Sequence, residues 1–213
     1  MKTKDEVMQS AADLDATIQE ARKRRLTDAQ DLALNFALRL TSTSRIVVLL
    51  TSSGAALEAY TICRLLFEHF FNVNALLHKE EHRSLLLEHS LGEPGRQLKK
   101  IFHENEKFAT VTPENLQRMT EFLNHPDRES DPKIGLNWEQ ISRLGDTAGL
   151  YTTYKTYSFL YAHSTLASLS IKVSDKDVAQ LHENVWFVLE LARSQLRMRL
   201  LTGTSIPLPN SMT

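Results

Sequence analysis

An all-α fold is predicted for this chain from three observations. Glycine and proline are sparse, 7 and 6 in 213 residues, and they fall in groups. The long stretches between them repeat apolar residues at the spacing of a helix. No stretch alternates apolar and polar residues over the length of a strand, and no Asn-Gly or Asp-Gly pair marks a hairpin. The pattern predicts a single-domain helical bundle of about eight helices over residues 1–201, with residues 202–213, which hold two prolines, as a flexible tail.

The elements follow in order. A first helix is expected from about Lys4 to Arg25. Thr27-Asp28-Ala29-Gln30 has the form of a capping box and opens a second helix that runs through Leu32, Phe36 and Leu40 to about Leu50. Thr51 to Gly54 breaks the pattern. A third helix spans about Ala55 to His78, and a more polar one about Lys79 to Ser90, before Leu91-Gly92-Glu93-Pro94-Gly95 interrupts. Arg96 to Lys107 is helical in pattern. Thr112-Pro113 places a cap before a proline at the first helical position and opens a helix to about Asn124. His125 to Pro132 is a polar loop, and Asn137 to Leu144 a short helix. A long helix covers about Leu150 to Lys172. Ser174-Asp175-Lys176-Asp177 caps the last one, which runs to about Leu201.

The composition bounds the partners. Apolar residues make up 42% and charged residues 24%, which excludes a disordered or collagen-like chain. The formal charge of −1 gives no general attraction to nucleic acid or to an anionic bilayer. Cys63 is the only cysteine, so no internal disulfide forms, as suits a reducing compartment. The lysines near Met1 precede no apolar run, and Ile46 to Leu50 is too short to span a bilayer, so no membrane partner and a cytoplasmic location are expected.

Two helices stand out. Between Ala55 and His78 the only acids and arginines are Glu58, Arg64 and Glu68, and between Leu150 and Ile171 the only charge is Lys155. A helix without a polar face is buried on most sides. Arg64 and Glu68 are four apart and share a face, in the order that supports an isolated helix less well. Buried charges of this kind need further polar partners, and the later helix can supply them. It carries Tyr151, Tyr154, Tyr157, Ser158, Tyr161, His163 and Ser164. The two helices are therefore expected to face each other across a polar seam. Arg64, Glu68 and His163 are its candidate catalytic groups, and Tyr157, Ser158, Tyr161 and His69 its candidate binding groups. A satisfied network that fixes register and a ligand or catalytic pocket both fit this pattern.

Ile62-Cys63-Arg64-Leu65-Leu66-Phe67-Glu68-His69-Phe70-Phe71-Asn72, followed later by Tyr157-Ser158-Phe159-Leu160-Tyr161-Ala162-His163-Ser164, resembles a bacterial family catalogued as domain of unknown function 5677. The likeness covers roughly Leu32 to Ser170. It implies a helical bundle with a shared polar site and carries no established activity.

These residues bear on several chemistries. Arg64 and His69 have the spacing of a metal-independent ribonuclease of the HEPN kind, all-α proteins of toxins and phage defence. A histidine, His69 or His163, would move protons at a ribose 2′-hydroxyl while Arg64 stabilises phosphorane charge. The spacing is weakly specific, since Arg83 and His89 repeat it. In His78-Lys79-Glu80-Glu81-His82 two histidines share a helical face, but Lys79 stands where a zinc protease needs glutamate, so no metal and no cofactor is assigned. Cys63 on an apolar helix reads as a core residue. The basic spots Arg22-Lys23-Arg24-Arg25 and Arg193/Arg197 read as solvated faces, leaving RNA as a partner that the net charge does not support. The last helix, with Trp186 and Phe187 beside its main apolar stripe, is the candidate surface for a homodimer. The resulting expectation is an interaction or regulatory role, with phage defence as a setting and a HEPN-like ribonuclease as the alternative.

Overall fold

Side-chain capping decides where the first helices begin. Thr3 accepts the N–H of Glu6 while the Glu6 carboxylate takes the N–H of Thr3, opening α1 (Lys4–Ala21). Thr27 and Gln30 make the same reciprocal pair at α2 (Asp28–Ser52), as the sequence predicts. α1 stops at Ala21, its last buried residue, rather than continuing to Arg25. The four cations that follow are exposed and contribute nothing to the core.

Gly54 ends α2. The N–H of Ala55 reaches back to the Leu50 carbonyl at 2.8 Å, and that of Gly54 to Thr51 at 3.3 Å. This is a Schellman closure with a left-handed residue after the cap. Gly54 has φ +82°, where an L side chain strains the backbone by about 1–2 kcal/mol. Gly54→Ala is accordingly expected to lower the unfolding free energy by about 1 kcal/mol, read as a shifted urea midpoint at constant slope.

The computed structural model describes residues 1–87, 112–124, 137–145, 147–161 and 172–202, and among these there is no strand. The all-α bundle of about eight helices expected from the sequence is the architecture found. Within the chain, backbone contacts separate two compact units, residues 1–80 with 138–213, and residues 81–137. The smaller holds helical residues 82–87 and α4 (Pro113–Leu123). The Thr112 hydroxyl takes the N–H of Asn115 at the predicted start of α4.

The larger unit holds α1 to α3 (Ala56–His78), α5 (Trp138–Leu144), α6 (Ala148–Tyr161), α7 (Asp175–Leu196) and a π-helical turn at Arg197–Leu201. Ser174 and Asp177 form the predicted cap of α7. α3 is the hub and packs against α2, α5, α6 and α7. Its residues Leu66, Phe67, Phe70 and Phe71 are almost wholly out of water, which is why this helix can lack a polar face. α7 lies along α1, tied by Ser10 to Glu190 at 2.6 Å and Arg193 to Asp13 at 2.9 Å. Arg193, one of the predicted basic spots, is thus held in ion pairs with Asp13 and Glu190.

By length and composition α2 could cross a bilayer, but half of that apolar stretch is buried inside the protein. It packs on α1 and α3 as a core helix does.

Candidate functional site

The seam between α3 and α6 contains a polar network. Arg64 and Glu68 lie one turn apart, and a guanidinium nitrogen of Arg64 donates to Glu68 Oε1 at 2.7 Å. Tyr154 on α6 donates its hydroxyl to the same oxygen at 3.2 Å. The Arg64 side chain is 32% exposed and that of Glu68 only 14%. Aromatic rings surround Tyr154. Tyr154 meets Phe71 edge-on at 5.9 Å, stacks on Tyr151 at 5.7 Å and approaches Trp138.

Burial raises the Glu68 carboxyl above its ordinary value, although Arg64 and the Tyr154 hydroxyl both pull it down. Removal from water therefore outweighs the ion pair, as is common for buried charges. The Tyr154 hydroxyl is also raised, by burial first and then by the charge of Glu68. Arg64 Nε is buried without a hydrogen-bond partner, while Ser158 and Arg64 both pull the Tyr154 hydroxyl down.

The structure distributes the other predicted residues. Tyr157 is buried, but its hydroxyl takes a hydrogen bond from Asn184 on α7 at 2.5 Å, and its ring packs edge-on against Tyr60 and Phe67. It belongs to the α3–α6–α7 core rather than to the Arg64 network. His69 turns toward α2, where its ring lies 6.0 Å from that of Phe36. Burial, helped by the nearby Arg39 cation, holds its imidazole down to about 4. Tyr161 is the last residue of α6; its side chain, and all of His163, lie outside the described residues.

Cys63 is fully buried, and burial pushes its thiol far above the ordinary range, so no nucleophilic thiolate forms there. His78 directs Nδ1 at the carbonyl oxygen of Asn74, 2.8 Å away. Among the described residues no group of three or more His, Cys, Asp or Glu is placed to hold a metal ion.

A second site had no warning in the sequence pattern. A half-open cleft of about 430 Å³ lies between α3, the α5–α6 connection and the end of α7. Phe70, Leu150, Phe187 and Leu191 give it apolar walls, and Asn74, His78, Gln195 and Arg199 its polar positions. Asn74 is 1% exposed, and its Nδ2 donates to the Gly145 carbonyl at 2.7 Å. Asn74 Oδ1, Gln195 Oε1 and Arg199 Nε are all buried without a partner. Gly145 makes this approach feasible, because a Cβ there would lie 2.6 Å from Asn74 Cγ.

A family model described as a family of unknown function (DUF5677) matches residues 30–180 of the chain. This span includes the whole Arg64–Glu68–Tyr154 network and the α3 and α5–α6 side of the cleft. The α7 wall, from Phe187 to Arg199, lies beyond it. No curated protein and no solved structure matches the chain.

Proposed function

The chain belongs to the DUF5677 family, and we propose that it works by binding rather than by catalysis, as an interaction or regulatory protein. The observation that carries this reading is the commitment of Arg64. Its guanidinium is bonded to Glu68, which Tyr154 also engages, all within the bundle. A phosphoryl-transfer site would instead aim that cation at an open position where charge develops. A ribonuclease would also need an imidazole that titrates near neutral pH beside it. His69, which has the expected spacing, packs on Phe36 and is held at about 4. The interaction favoured is with protein rather than RNA, given the net charge of −1.

A homodimer through the last helix is the concrete form of this role. Trp186 is covered by the Lys2 ammonium, 4.2 Å above its ring, whereas Phe187 is 45% exposed. Two measurements test the reading. RNA incubated with wild type, Arg64→Ala and His163→Ala is expected to stay intact in all three samples. The sedimentation mass of the wild type is expected to rise with concentration, and less so for Phe187→Arg. RNA cleavage by wild type that both substitutions abolish would establish the ribonuclease instead.

A further inference from the structure

We infer that the cleft at the end of α7 binds an amino acid with a large apolar side chain, a function separate from the α3–α6 seam, although its wall shares Phe187 with the proposed dimer surface. Three of the residues that line this cleft each hold a buried polar atom without a partner. Two of these atoms, Asn74 Oδ1 and Gln195 Oε1, are acceptors, and the third, Arg199 Nε, is a cationic donor. The orientation of the Asn74 amide is fixed, because the Gly145 carbonyl can only accept and so must face Nδ2. That leaves Oδ1, on a side chain 1% exposed, with nothing to receive a proton from. Native interiors rarely leave such atoms unmet, and those that remain call for an explanation such as an unseen ligand.

The complement of this set is an ammonium group for the amide oxygens, a carboxylate for the guanidinium and an apolar body for Phe70, Leu150, Phe187 and Leu191. The cleft, at about 430 Å³, is at the small end of ligand pockets and far larger than the roughly 30 Å³ that one water occupies. Its α7 wall also changes geometry where the charge is needed. α7 passes into a π-helical turn, closed by the Thr202 N–H donating to the Arg197 carbonyl five residues back at 2.9 Å. Such turns occur often at functional sites, and this one carries Met198 and Arg199 on the cleft.

Isothermal titration of the full chain with L-phenylalanine tests the assignment. One equivalent is expected to bind. Phenethylamine, which lacks the carboxylate, and 3-phenylpropionate, which lacks the ammonium, should each bind at least tenfold more weakly. Arg199→Met and Gln195→Leu, at partly exposed positions, should weaken L-phenylalanine at least tenfold while leaving the helical circular dichroism and the sedimentation mass unchanged. Gly145→Ala, which displaces Asn74, should act the same way if it folds. No binding of L-phenylalanine at millimolar concentration overturns the inference. So does binding indifferent to Arg199→Met and Gln195→Leu, or a preference for adenosine 5′-monophosphate over the amino acid.

Discussion

Phe67→Ala is expected to lower the unfolding free energy by about 3–5 kcal/mol, the range for truncating a fully buried aromatic. Phe67 is 0% exposed at the centre of α3. Its ring meets Tyr157 of α6 edge-on at 5.8 Å and Phe71 at 6.3 Å. Tyr157 in turn meets Tyr60 at 5.1 Å and accepts the Asn184 amide from α7. Truncation therefore leaves a void between α3 and α6, beside a Tyr157 ring that its hydroxyl anchors to Asn184 of α7. Phe67→Leu keeps most of the volume and should cost under about 1.5 kcal/mol. Urea unfolding of both variants, with unchanged slopes, checks the pair. Equal losses in the two variants would mean that the site collapses and that the ring contacts contribute little.

The seam was legible in the sequence because its logic is local on each helix. Arg64 and Glu68 share a face at four residues apart, and an apolar helix around them must find polar company elsewhere. The tyrosines between Tyr151 and Tyr161 pointed to that company. Which tyrosine reaches Glu68 was not legible, since it depends on the rotation of α6 about its own axis. Tyr154 reaches it, while Tyr157, one turn on, is taken up by Asn184. The Arg64–His69 pair is split between two faces for a geometric reason. Five residues rotate a helix by about 140° from the starting direction, so His69 faces α2 while Arg64 faces α6.

Helix starts were legible for the same local reason: Thr27 with Gln30 and Ser174 with Asp177 carry their own instructions. The cleft was not. It needs Asn74 and Gly145 to meet across 71 positions, and the missing Cβ of Gly145 matters only once they do. The π-helical turn was equally hidden, because Arg197 to Leu201 are ordinary α-helix formers by propensity. No periodicity in that stretch departs from the α-helix.

Arg64→Met is expected to destabilise the protein by about 1–3 kcal/mol at pH 8, the cost of taking the cationic donor from a largely buried carboxylate that keeps only the Tyr154 hydroxyl, and by much less at acidic pH. The sign follows from Glu68. Its carboxyl is already raised from 4.5 in the folded state, by burial against the pull of Arg64 and Tyr154. A carboxyl raised on folding keeps its proton longer in the native than in the unfolded chain. Stability is therefore retained below the unfolded value and falls as pH climbs through the folded one. Removing Arg64 deletes the larger of the two attractions, so the folded value rises further and the decline steepens. Arg64→Met/Glu68→Gln removes the charge together with its partner. It should recover most of the loss at pH 8 and show no Glu68-dependent slope, since a buried pair replaced as a unit is often neutral. Urea midpoints of the wild type, the single and the double variant from pH 4.5 to pH 8 distinguish the cases. A single variant that stays as stable as wild type at pH 8 would show that water already satisfies Glu68 there. The network would then be a surface ion pair of the kind that contributes almost nothing.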